Sequence, residues 1–267
     1  MALTEALQIA SLTDPGQLRE RNEDSIGACP ETGLVVLADG MGGYNAGGVA
    51  SGMAVSTLVA GVKQAWPTEA LKSLDRAAAL SVLQSMLHEQ IGKTNAAIHA
   101  AAQNDPACAE MGTTLVAGLF YDDTLIVAHA GDSRLYRLRN DILEQLTHDH
   151  SLLQEQIDAG MIRKEDAHLS NNKNLVTRAL GVTPEEEGEI RCHDVLPGDI
   201  FLLCSDGLHG MIADDDIEMT VAALKANLEL TAQQLVQAAN DAGGSDNVSV
   251  ILVRVSKSFA QERTFSA

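Results

Sequence analysis

The chain has 267 residues, 45% of them hydrophobic but only 3% aromatic, and carries a formal net charge of −19. Leu, Val, Ile, Ala and Met suffice for a substantial core, whereas so acidic a chain without basic patches repels nucleic acid and anionic membranes, so neither is expected as a partner. Cys29, Cys108, Cys192 and Cys204 show no CxxC spacing and read as reduced, structural thiols of a cytoplasmic protein. The N-terminus lacks the basic flank and apolar stretch of a secretion signal, and the most apolar long segment, residues 49–62, is too short to cross a bilayer.

In chain order, residues 33–38 form a compact apolar run that stops at Asp39-Gly40, the pattern of a buried strand entering a turn. Residues 45–65 read as a helix packed on a sheet, and residues 68–103 as one long helical region. In the latter, Leu80, Leu83, Leu87, Ile91, Thr94 and Ile98 mark a single face. The period then changes. Residues 113–121 and 124–130 are strand-like and separated only by Asp122-Asp123, a hairpin connection, and residues 134–138 follow after another short turn. Strands joined this closely must be largely antiparallel, which argues against a doubly wound parallel sheet. A short helix over 148–160 ends at Gly160. A polar loop over 161–176 contains Asn171, Asn172 and Asn174. Residues 199–205 read as a strand, Asp214 as the cap of a helix running to Leu224, Thr231 as the start of a helix ending before Gly243-Gly244, and residues 247–255 as a last strand. No internal repeat or low-complexity linker divides the chain, so one domain over 1–267 is expected.

Four aspartates next to Gly or Asn adjoin these strands: Asp39, Asp132, Asp206 and Asp246. A strand end holds a carboxylate firmly, and an adjacent glycine lets backbone, water or ligand approach closely. If strands 34–38 and 201–204 are neighbours, Asp39 and Asp206 face one small volume, where two carboxylates repel unless a divalent cation lies between them. Hard cations prefer oxygen donors, so a Mg²⁺ or Mn²⁺ site is the first reading. The run Arg19-Glu20-Arg21-Asn22-Glu23-Asp24 offers a guanidinium fork for phosphate, though a solvated loop has the same composition. The glycine-rich run over 40–48 lacks the Gly-Lys-Ser/Thr ending of a P-loop and reads as a close-approach turn. His148-Asp149-His150 has no partner at zinc-site spacing and reads as a helix-start loop, and Glu185-Glu186-Glu187 reads as a solvated turn. The chain has no Gly-x-Ser-x-Gly nucleophile elbow.

Taken in order, these motifs resemble the metal-dependent protein phosphatases of type 2C in their bacterial single-domain form. The resemblance rests on Thr13 to Ser25 with Arg19 and Asp24, on Asp39-Gly40-Met41-Gly42-Gly43, on Gly112-Thr113-Thr114-Leu115 and on Gly131-Asp132-Ser133-Arg134. It continues through Thr177-Arg178-Ala179-Leu180-Gly181, Cys204-Ser205-Asp206-Gly207-Leu208 and Ser245-Asp246-Asn247-Val248, and covers about residues 8–255. It implies an α+β fold of two packed antiparallel β-sheets flanked by helix pairs, a flap at 161–176 and a short C-terminal tail at 256–267. It also implies two catalytic Mn²⁺ or Mg²⁺ ions bridged by Asp39, with the Gly40 carbonyl on the second and Asp206 and Asp246 completing the first. Glu23 and Asp24 would hold metal-bound waters, Arg19 the substrate phosphate, and Asp132 with Asp206 a third, weaker site.

The implied chemistry is attack on phosphoserine or phosphothreonine by a water made nucleophilic between two cations, with no covalent phosphoenzyme. The implied partners are phosphorylated proteins, including a cognate Ser/Thr kinase or its substrates, and a monomer is expected. Many eukaryotic relatives use a His after the bridging Asp-Gly as general acid. Met41 stands there in this chain, as in many bacterial relatives, which leaves a metal-bound water or His209 as proton donor. Two other readings keep the same motifs: a catalytically silent binding module, and a hydrolase of small phosphate esters.

Overall fold

The computed structural model describes residues 3–43, 46–170, 172 and 175–261. Its strands are β1 (Leu7–Asp14), β2 (Asp24–Cys29), β3 (Leu34–Met41), β4 (Gly112–Thr113), β5 (Leu115–Tyr121), β6 (Thr124–Ala130), β7 (Arg134–Arg139), β8 (Ile142–Gln145), β9 (Glu189–Asp194), β10 (Ile200–Cys204) and β11 (Val248–Val255). Its helices are α1 (Leu3–Ala6), α2 (Ala46–Ala65), α3 (Thr68–Ser73), α4 (Arg76–Asn104), α5 (Leu152–Asp158), α6 (Asp206–His209), α7 (Asp214–Leu224) and α8 (Leu228–Asp241). One sheet has the order β1-β11-β10-β7-β8 and the other β2-β3-β5-β6-β9, with β4 added on β3. All these pairings are antiparallel.

Strand β3 shows why the layers form. Side chains alternate along a strand, so Val35 and Leu37 point into the space between the sheets, with Phe120, Phe201, Leu203 and Ile251. Leu34, Val36 and Ala38 point the other way, under α2 and α4, against Leu58, Leu83 and Leu87. Both faces are covered, so the strand reads as an unbroken apolar run. The second sheet repeats the arrangement: Leu202, Cys204, Val250 and Leu252 face α7 and α8 through Val221, Leu235 and Val236. The result is helix on sheet on sheet on helix, the α+β architecture expected.

The hairpin at Asp122-Asp123 forms as read. Both residues have φ 51°, the left-handed backbone of a two-residue turn that matches strand twist. Helix α4 buries Leu83, Leu87, Ile91, Thr94 and Ile98, the expected face. Other expectations need correction. The helical region 68–103 is two helices, because Leu74 is extended and the Asp75 carboxylate caps a new start by accepting from Ala78 N at 2.8 Å. Asp214 does not cap its helix. Ala213 is the cap residue, and the Asp214 carboxylate instead accepts from Tyr136 Oη at 2.9 Å. The last helix begins at Leu228, not Thr231, with Asn227 accepting from Leu230 N at 3.1 Å. The apolar segment at 49–62 extends into the 20-residue α2, long and apolar enough to cross a membrane by length and composition. Here its buried residues, Ala50, Ala54, Leu58 and Val62 among them, belong to the core over the β2-β3-β5-β6-β9 sheet. The loop at 161–176 contains a short 3-10 helix over 164–169, while Asn171 and Asn174, like Tyr44, Asn45 and the end of the tail, lie outside the described residues.

Candidate active site

The sheets deliver acidic residues to one end of the sandwich. Asp39 lies near the end of β3, opposite Asp24 at the start of β2. Asp206 follows β10, Asp246 precedes β11, and Asp132 lies in the turn between β6 and β7. Strands β3 and β10 belong to different sheets, so Asp39 and Asp206 are not neighbours along one sheet edge. They meet across the sandwich, close enough for their carboxyls to interact directly. An open cleft of about 600 Å³ is lined by Arg19, Glu23, Asp39, Asp132, Asp206 and Asp246.

Conserving this geometry falls to the hydroxyl and amide side chains of the motifs. Asp39 N donates to Thr114 Oγ1 at 3.0 Å, while Thr113 Oγ1 and Thr114 N both donate to Asp39 O at 2.8 Å. Thr114 Oγ1 also meets Ser133 Oγ at 2.7 Å, tying the Asp39 strand to the Asp132 turn. Ser205 Oγ donates to Asp24 Oδ2 at 2.8 Å across the two sheets. Gly40 fits because it has no side chain: a Cβ there would lie 2.0 Å from Gly47 O. Asn247 was not singled out by sequence reasoning. Its Oδ1 accepts from Glu23 N at 2.8 Å and its Nδ2 donates to Pro15 O and Arg21 O, which fixes the loop carrying Arg19. An amide directly after a strand-entry aspartate is the signal that could have found it.

The electrostatics follow from crowding. Burial, then the neighbouring Asp24, holds the Asp39 carboxyl well above the usual carboxylate range. Burial, then Asp246, raises Asp206. Burial lifts Asp132 to about 7, with Asp206 adding to the effect, and lifts Asp24 to about 6 despite its serine partners. Asp24 Oδ1 is buried without a hydrogen-bond partner in a structure that satisfies most such atoms. An all-oxygen, mutually repelling set with an orphaned carboxylate oxygen fits hard divalent cations. Arg19 is the one cationic side chain bonded to this set among the described residues: Nη2 donates to Asp246 Oδ2 at 2.7 Å. His209 is a poor proton donor. Its Nε2 lies 3.1 Å from Asp132 O, and removal from water, then Arg134, pushes its pKa down to about 3, so the ring is neutral.

A second cluster was not legible. His150, read as part of a helix-start loop, stacks on His129 with ring centroids 4.6 Å apart and planes at 13°, and Glu189 approaches both. Ligand lone pairs lie in the ring plane, and two parallel planes cannot share one ion, so this arrangement does not fit a metal. Instead His150 Nδ1 accepts from Gly131 N at 3.2 Å, and the His150 backbone bonds to Gly131 O and Thr177 N. It therefore joins the Asp132 turn to the end of the 161–176 segment. Glu186 is not a solvated turn residue either; Arg178 Nη2 donates to it at 2.7 Å.

Comparison with known proteins agrees with this construction. Residues 18–249 match the family described as Protein phosphatase 2C. The chain is 38% identical over 245 residues to the serine/threonine phosphatase stp of Listeria innocua, covering 90% of this chain and 93% of that protein. The serine/threonine phosphatase PstP/Ppp of Mycobacterium tuberculosis superposes with a TM-score of 0.83 at 34% identity, over 94% of this chain and 99% of that one. A structure of the PstP catalytic domain in complex with two manganese ions superposes with a TM-score of 0.80 at 35% identity, over 94% and 99% of the two chains. The chain therefore belongs to the protein phosphatase 2C family and is a metal-dependent phosphoprotein phosphatase.

Proposed function

We propose that one domain, with its core over about residues 8–255, hydrolyses phosphoserine and phosphothreonine in proteins with two Mn²⁺ or Mg²⁺ ions, and opposes a Ser/Thr kinase of the same cell. The observation that carries this reading is the cluster of Asp24, Asp39, Asp132 and Asp206, whose carboxyls are too crowded to ionise together without added cations. Asp39, the Gly40 carbonyl, Asp206 and Asp246 would hold the two ions, with Asp39 serving both, and Asp132 with Asp206 would hold a weaker third. Glu23 and Asp24 would orient coordinated water, Asp24 through its unpartnered Oδ1. Bound divalent ions supply Lewis acidity that makes water nucleophilic at neutral pH.

The chain's own residues do the rest. Arg19 is half-exposed and held on Asp246 at the rim, so its fork can turn from that carboxylate onto the phosphoryl oxygens of an entering substrate. Asn247 sets the position of the Arg19 loop. Met41 cannot donate a proton and neutral His209 spends Nε2–H on a carbonyl, so the leaving oxygen takes its proton from water. The two manganese ions in the PstP structure support the cation count. The chain acts as a cytoplasmic monomer in this reading. The test is hydrolysis of a phosphothreonine peptide with Mn²⁺. Chelation or Asp39→Asn abolishes it, and activity that survives both sinks the proposal.

A further inference from the structure

Beside the acidic cleft lies a second one of about 570 Å³, and the two share Asp132, Asp206 and Asp246 as a common wall. On the far side of the second cleft stand Leu153 and Ile157 of α5, with Ala167 and Met211. Leu153 and Ile157 are one helical turn apart and so share a face. Neither belongs to any of the three cores, and no residue of α5 is fully buried. Their apolar area does not serve to hold the fold together. The helix is nevertheless well anchored: Ser151 Oγ caps it by accepting from Gln154 N at 3.2 Å, and Leu152 N donates to Leu175 O at 2.8 Å.

Away from the shared acidic wall, the charged groups of this cleft are already spent on one another or on neighbouring side chains. Arg134 grips Asp149 at 2.7–3.0 Å and lies 3.6 Å from Asp214, and His148 meets Asp158 at 2.7 Å. The surface left for a ligand is therefore the aliphatic wall, opposite an acidic one.

We propose that this cleft seats an apolar side chain of the substrate polypeptide flanking the phosphoresidue, so that Leu153 and Ile157 set sequence preference. The proposal rests on the phosphatase reading above. The occupant follows from continuity: the two clefts share Asp132, Asp206 and Asp246, so with the phosphoryl group over Asp39 and Asp206 a residue one or two positions away, at about 3.8 Å per Cα step, is near enough to enter the second cleft. Leucine or phenylalanine gains contact there, and aspartate meets the acidic wall.

The test uses phosphothreonine peptides with Leu, Ser or Asp at each position within two residues of the phosphothreonine, assayed with Mn²⁺ beside p-nitrophenyl phosphate, which has no flanking residue. Leu at one of these positions raises kcat/KM about tenfold over Ser, and Asp gives the lowest value. In the double variant Leu153→Ser, Ile157→Ser the Leu advantage falls to near one while p-nitrophenyl phosphate turnover stays within twofold. If that variant loses ester turnover as well, Ile157→Phe decides, since filling the cleft lowers kcat/KM selectively for the Leu peptide. A flat peptide profile, or a Leu preference untouched by these variants, overturns the subsite. Wild-type protein that hydrolyses the ester but no peptide overturns the protein-phosphatase reading, and with it the subsite.

Discussion

Two acidic regions share one end of the sandwich and are built on opposite terms. In one, Asp149 receives three bonds from Arg134 at 2.7–3.0 Å and a fourth from Gln145, and Arg178 grips Glu186 in the same manner. In the other, Asp24, Asp39, Asp132 and Asp206 crowd together with serine, threonine and backbone partners but no internal guanidinium or ammonium, so their carboxyls are pushed toward the neutral form. A buried acid with its own arginine is architecture. A buried acid cluster without one takes its positive charge from outside the chain, and at that price in folding energy it is retained for chemistry.

The contrast is most sharply broken by comparing one substitution from each side. Asp39→Asn lowers Mn²⁺-dependent hydrolysis of a phosphothreonine peptide on the order of 10³-fold or more, read as kcat/KM. Asp149→Ala acts on the fold instead. It leaves the Arg134 guanidinium without its main partner and lowers the unfolding free energy by about 3–4 kcal/mol in urea. Arg19 stands between the two classes. Its side chain is 54% exposed, so Arg19→Ala changes stability by less than about 1 kcal/mol. The same variant lowers kcat/KM about 10²-fold through the lost phosphate contact.

The smallest effect is on pH. Asp132 and Asp24 hold protons up to about 7 and about 6, so a cation must displace those protons to bind. Mn²⁺ affinity therefore weakens as pH falls through this range, by about tenfold per unit for each proton displaced. Calorimetry in two buffers of different ionisation enthalpy reads the proton release directly.

What could be read from sequence divides along the same physical lines. Strands β3, β5, β6, β7, β10 and β11 are interior to their sheets and announce themselves as apolar runs. The four that were not read, β1, β2, β8 and β9, are the four sheet edges. An edge strand such as Glu189–Asp194 has a partly solvated face and mixes charge with apolar residues, so neither period nor composition marks it. The clustered aspartates were legible because each adjoins an interior strand and a glycine or asparagine. Their meeting across two sheets came only through the family resemblance, since local sequence carries no sign of how sheets stack. The stacked His129–His150 pair and the role of Asn247 were hidden for the same reason: each depends on partners far away in the chain.

Thermal unfolding of wild type, Asp39→Asn and Asp149→Ala, each with and without Mn²⁺, tests the contrast most directly. Without metal, Asp39→Asn melts at or above wild type, because it removes a repelling charge, and Asp149→Ala melts well below it. Mn²⁺ raises the melting temperature of wild type and of Asp149→Ala but not of Asp39→Asn. A metal-free Asp39→Asn protein destabilised as much as Asp149→Ala would contradict the account, since Asp39 would then be holding the fold together instead of holding a cation.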